Sequence, residues 1–185
     1  MKLYHGSKNV NIKSFDSKHN SSETNDFCNG IYFTSNFKKA KEWSCKGSEN
    51  GAVYEIDINF EESNLNIKHL KIDCNDLYFL FYICRIGLPE LAMDFVDDFE
   101  KYDVISGPVL CSANQNGGIY KYIDTAEQFN KGDISFEYLR QETRLFKEDF
   151  NQWCFRTEKA IKYLNGRLSK KYLIKKQYKI VEANI

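Results

Sequence analysis

Apolar and polar residues alternate through Ala52-Val53-Tyr54-Glu55-Ile56-Asp57-Ile58-Asn59-Phe60, the clearest strand pattern in the chain, with one face expected in the core. Lys2 to Ser7 alternates well enough for a first strand that ends on two turn formers, Gly6 and Ser7. Tyr102 to Val109 is strand-like until Pro108, which cannot donate to a central ladder. Asn151 to Arg156 alternates again, and Tyr172 to Val181 reads as a lysine-rich edge strand. Helical spacing predicts Asp76 to Arg85, ended by Gly87 and Pro89, and allows a helix to continue over 90–99. Further helices are predicted over Ile119 to Asn130, over Ser135 to Lys147 behind a serine cap, and over Glu158 to Leu164 capped by Thr157. Asn64 to Lys71 has room for a short strand, and Asn9 to Asn29 is a polar loop or a short helix and loop. Strands and helices that do not alternate regularly indicate α+β with antiparallel sheets.

One compact stretch combines strand, turn and helix. Gly30 opens it with a left-handed or close-approach backbone, and Ile31, Tyr32 and Phe33 follow as a strand, with Tyr32 on the face opposite its neighbours. Thr34, Ser35 or Asn36 can cap the helix that carries Phe37, Ala40, Trp43 and Ser44. Tyr32 and Trp43 are thus expected on adjoining elements facing one pocket.

Composition narrows the picture. A chain of 185 residues is read as one domain, 1–185, able to bury a core without disulfides or metal. Lysine plus arginine and aspartate plus glutamate stand at 26 each, so no global field draws the protein to nucleic acid or an anionic membrane. Cys28, Cys45, Cys74, Cys84, Cys111 and Cys154 form no C-x-x-C pair, and no signal sequence opens the chain. A reduced, cytoplasmic protein without membrane association is expected. Three widely spaced histidines give no metal motif.

The Walker, G-x-G-x-x-G, G-x-S-x-G and H-E-x-x-H patterns are missing. What remains is His5-Gly6-Ser7 at a strand end, Gly30 to Thr34, Trp43 on a helix, and Asn151-Gln152 opening a late strand. Singly, each is ordinary: a strand-end histidine is usually surface or packing, and a lone strand tyrosine is usually core.

In this order, His5-Gly6-Ser7, Gly30-Ile31-Tyr32-Phe33, Trp43 in place of a second tyrosine, and Asn151-Gln152-Trp153-Cys154-Phe155 resemble the ADP-ribosyltransferase superfamily. The likeness is to the poly(ADP-ribose) polymerase-like branch, and within it to a group of small bacterial and phage proteins. It extends over nearly the whole chain. It implies two small antiparallel sheets split around an NAD cleft, with helices outside. It also implies an NAD-dependent mono-ADP-ribosyltransferase without metal, using His5, Tyr32 and Gln152 in catalysis and Tyr4, His5, Gly6, Ser7, Tyr32, Phe33 and Trp43 to bind NAD. The acceptor would be macromolecular, protein or nucleic acid. Relatives are often toxins or phage-defence effectors, which implies an antitoxin partner.

One position departs from the pattern: the final-strand acid is Gln152. An amide accepts a hydrogen bond but takes no proton. Other readings therefore stand beside the transferase: a non-catalytic NAD or ADP-ribose reader, an interaction module using Trp153, Tyr172 and Tyr178, and an RNA phosphotransferase gripping phosphate through arginines. The last has against it that Arg85, Arg140, Arg144, Arg156 and Arg167 are scattered.

Overall fold

A computed structural model of the chain describes residues 1–16, 25–86, 99–109, 118–143, 151–175 and 179–183. Its strands are β1 (Lys2–Ser7), β2 (Ile31–Thr34), β3 (Asn50–Asp57), β4 (Ile67–His69), β5 (Val104–Pro108), β6 (Asn151–Phe155), β7 (Leu168–Lys175) and β8 (Lys179–Ala183). The helices are α1 (Phe37–Ser44), α2 (Asn75–Phe81), α3 (Gly118–Asn130), α4 (Phe136–Glu142) and α5 (Glu158–Asn165). A π-helical turn, Tyr82–Ile86, prolongs α2. The fold is α+β.

The strands make one eight-stranded sheet in the order β4-β5-β6-β2-β1-β3-β7-β8. This corrects the expectation of two separate antiparallel sheets, and the β4–β5 pair is parallel. The continuity is thin at one place. β1 pairs with β3 along all six of its residues, whereas its pairing with β2 is Tyr4 with Thr34 alone. The sheet is therefore two four-stranded halves hinged at one residue pair.

Side chains of paired residues share a face. On one face Leu3, Phe33, Tyr54, Ile56, Trp153 and Phe155 form a core with Ala160, Ile161 and Leu164 of α5. On the other face the two halves are covered separately. α1 lies over β1 and β3, where Ala40 packs on Val53 and Ile174. α2, α3 and α4 bring Leu77, Phe81, Tyr122, Ala126 and Leu139 onto Ile105 and Cys154.

Caps hold the short helices as their sequences predict. Asn36 accepts from the Lys39 amide, Ser135 from Tyr138 and Thr157 from Ala160. The predicted 172–181 strand is instead two: β7 pairs with β3 and with β8, so the sheet ends at β8. The 52–60 pattern ends as a strand at Asp57, and Ser135 opens a shorter α4 than predicted. The suggested helix over 90–99 lies outside the described residues as far as 98, as does the end of the 135–147 helix beyond 143. No helix among the described residues is long and apolar enough to cross a membrane.

Candidate functional site at the seam of the sheet

The seam between β1 and β2 follows from strand register. Met1 and Ile58 exchange backbone hydrogen bonds, so Leu3, His5 and Ser7 also direct their backbone groups toward β3. Tyr4 and Gly6 point theirs toward β2. Tyr4 meets Thr34, but pairing stops before Gly6, whose partner in that register would be Tyr32. The Tyr32 carbonyl is taken by the His5 ring, with Nδ1 at 2.7 Å. A carbonyl can only accept, so Nδ1 carries the hydrogen. His5 thus closes the seam from the face of the large core, its ring 5.3 Å from Phe15 and 5.4 Å from Phe33.

Gly6 owes its missing side chain to the helix above. A Cβ there would stand 2.0 Å from the Ala40 carbonyl oxygen and 3.0 Å from the Ser44 nitrogen. The glycine lets α1 sit directly on β1, and the same closeness leaves its backbone facing the seam. Gly30 answers the expectation of close approach: a Cβ would meet Cys154 Sγ at 2.3 Å and the Phe155 carbonyl at 2.8 Å.

Tyr32 and Gln152 lie on the opposite face from the His5 ring, the face that carries α1 and α2, because Tyr32 pairs with Cys154 and Thr34 with Gln152. The Tyr32 hydroxyl donates to the Cys28 carbonyl (2.8 Å) and accepts from the Phe27 amide (2.9 Å), and its ring stacks 6.5 Å from Phe27. Burial, followed by the neighbouring Cys154 thiol, holds its phenol well above the ordinary range. Burial also pushes the Cys154 thiol up to about 12, so it remains a neutral packing group. Trp43 stands on α1. Phe37 and Cys45 occupy the flank packed with Tyr172 and Ile174 of β7, and at about 100° per residue Trp43 falls on the opposite flank, toward β2. Among the described residues Tyr32 and Trp43 make no ring-to-ring contact with each other.

Three predicted contacts sit elsewhere. Phe33 is fully buried in the large core, against His5, Phe15 and Phe155, so it supports His5 instead of touching a ligand. Tyr4 packs edge-on against Phe37 at 5.1 Å beneath α1. Ser7 accepts from the Asn9 amide and so shapes the turn after β1.

Residues 1–165 match the model of a family described as "Protein of unknown function (DUF3990)". The chain belongs to that family. No curated protein and no solved structure matches it. The matched range of this DUF3990 protein takes in every seam residue and ends with α5, leaving β7 and β8 outside.

Sequence reading missed a buried polar cluster beside Gln152. Gln152 Nε2 donates to Asp26 Oδ2 at 2.8 Å, and Arg85 Nη1 donates to Asp26 Oδ1 at 2.7 Å. Asp26 and Gln152 are 3% and 5% exposed, so the carboxylate is compensated at both oxygens. Cys84, next to Arg85 in the π-helical turn, is disulfide-bonded to Cys28, correcting the expectation of six reduced thiols. Cys28 takes φ 60°, a left-handed conformation unusual for a residue with a Cβ. A π-turn, a left-handed cysteine, a crosslink and a buried ion pair thus gather around Tyr32 and Gln152.

The aromatics behind the interaction-module reading are largely packed. Trp153 is 7% exposed, and Tyr172 packs on Phe37 and donates to Glu55; Tyr178 lies outside the described residues. The arginines are dispersed too: Arg85 holds Asp26, Arg140 lies over Tyr78, Arg156 donates to the Phe99 carbonyl and Arg167 lies over Tyr163. Arg144 is outside the described residues.

Proposed function

We propose that this DUF3990 protein is an NAD-dependent mono-ADP-ribosyltransferase with the seam as its NAD site. The single observation that carries the reading is the parting of β1 and β2 after Tyr4 and Thr34, where His5 and Tyr32, 27 positions apart, meet across the two strands. There the Gly6 backbone faces a position with no strand partner, and Tyr32 and Gln152 share one face of β2 and β6, the face that α1 with Trp43 also covers.

In this reading the Gly6 backbone pairs with the nicotinamide amide, and Tyr32 and Trp43 hold its ring between them. Stacking of this kind is worth roughly 1–3 kcal/mol per ring, by analogy with nucleic-acid bases. Gln152 accepts from a hydroxyl of the nicotinamide-side ribose, while His5 acts from the other face of the sheet, fixing the β2 backbone through its bond to the Tyr32 carbonyl. The bond between ribose C1′ and the nicotinamide nitrogen breaks, and its electron pair leaves with nicotinamide. A nucleophile of the macromolecular acceptor then bonds to C1′ and releases its proton. Positioning supplies most of the acceleration, since no carboxylate of β6 faces the ribose. A toxin or phage-defence effector of this kind would be held in check by an antitoxin partner, and the cytoplasm would supply its NAD.

One observation favours a second reading, the non-catalytic reader of NAD or ADP-ribose: Gln152 replaces an acid and is itself engaged by Asp26. Calorimetry with NAD and chromatography of released nicotinamide separate the two. The transferase binds NAD, releases nicotinamide slowly and labels a target in cell extract, and Tyr32→Ala weakens binding and release. Binding without release identifies the reader. No binding at millimolar NAD defeats both.

A further inference from the structure

The partners of Gln152 make its two ends unequal. An ionised carboxylate can only accept, so the amide must turn its NH2 toward Asp26, and the network itself assigns the orientation. Arg85 donates to the other carboxylate oxygen, while the Cys28–Cys84 bond ties the two segments that carry this pair. Gln152 Oε1 is then directed away from Asp26. Among the described residues it accepts no hydrogen bond, and it is not among the buried side-chain atoms left without a partner, so it is open to solvent or a ligand. A side chain 5% exposed with one end clamped and the other open is a fixed acceptor.

We propose that Asp26 is a positioning residue that locks the Gln152 amide with its carbonyl oxygen toward the seam, making the site an acceptor for a hydroxyl-bearing substrate such as a ribose diol. The inference rests on the transferase reading and adds a residue to it. Asp26 touches no substrate; it acts through Gln152. It also changes what a glutamate at position 152 would do. At 2.8 Å from the Asp26 carboxylate, a second carboxylate would share one proton with it and act poorly as an acceptor.

The test is an exchange of the two side chains. Asp26→Asn should weaken NAD binding and nicotinamide release about tenfold, the loss of one charge-assisted hydrogen bond, and should shift the Gln152 side-chain amide resonances of the ligand-free protein. Gln152→Glu alone should lose activity. The double variant Asp26→Asn/Gln152→Glu restores the bond with donor and acceptor reversed, keeps one carboxylate within the cluster, and should recover nicotinamide release at least to the wild-type rate. Should Asp26→Asn not fold, the double variant compared with Gln152→Glu carries the test alone. The inference is overturned if Asp26→Asn binds and cleaves NAD within twofold of wild type with unchanged amide resonances, or if the double variant is no better than Gln152→Glu. Failure of the wild-type protein itself to bind NAD defeats instead the reading on which the inference rests.

Discussion

The two halves of the sheet are built by different means. In β1-β3-β7-β8 the strands are long and paired in extended register, six residue pairs between β1 and β3 and seven between β3 and β7, and one helix of eight residues covers the face toward the seam. In β4-β5-β6-β2 the strands have three to five residues, and three helices, a disulfide and a buried ion pair surround them. The first half is held by backbone ladders, the second by side chains. Polar and crosslinked groups that would be superfluous in a plain core are concentrated where Tyr32 and Gln152 stand, which is where the proposed site needs fixed side chains.

That contrast can be broken at its strongest point first. Replacing Cys28 and Cys84 by serine removes a crosslink between residues 56 apart, which the chain-entropy model values at about 4 kcal/mol. Urea denaturation should show that loss, and hydrogen exchange should show it first in α2 and β2. Equal loss of protection in β3 and β7 at low denaturant would erase the distinction between the halves. Arg85→Ala should cost about 3 kcal/mol, since it removes the guanidinium that compensates the buried Asp26 carboxylate. A loss below about 1 kcal/mol in the same assay would mean that solvent reaches Asp26.

Gly6→Ala addresses the other half. Its Cβ would strike the Ala40 carbonyl, so α1 must lift from β1, at about 2 kcal/mol. Thermal melting measures the loss, and an unchanged melting temperature would show that α1 is loosely seated. The smallest effect is acid lability, carried by Glu55 in one half and Asp103 in the other. Burial alone would raise both carboxyls, but hydrogen bonds win: Lys2 and Tyr172 hold Glu55 below its ordinary value, and Thr157, the Asn66 amide and Lys159 do the same for Asp103. A depressed folded-state value gives stability that is full above the unfolded pKa of about 4 and is lost as pH falls through the folded one. Asp103→Asn should therefore lower the melting temperature at pH 7 yet flatten its decline below pH 4. An unaltered pH profile would remove Asp103 from the acid response.

Local features were readable in the sequence because local physics makes them. The alternation that predicts β3, a cap among Thr34 to Asn36, the Ser135 and Thr157 caps and the close approach at Gly30 each need a few neighbouring residues. So did the placing of Gln152 at the start of β6. What could not be read depends on distant partners. Asp26 meets Arg85 across 59 positions and Gln152 across 126, and nothing around Asp26 differs from the polar loop it closes. The seam is equally hidden, since the sequence of β1 does not say where its neighbour stops pairing. Phe33 shows how local pattern and motif diverge: next to Tyr32 in the motif, it lies by the period of two on the other face, in the large core.

The order of strands also governs how the molecule can assemble during folding. Following the chain, β1 belongs to one half, β2 to the other, β3 to the first, β4, β5 and β6 to the second, and β7 and β8 to the first again. The polypeptide passes between halves four times, and the β3–β7 pairing joins residues more than 110 positions apart. Neither half is a continuous segment that could form while the rest is still being synthesised. Loop closure must come before most of the ladder, so refolding is expected to be slow for a chain of this size and to complete both halves together.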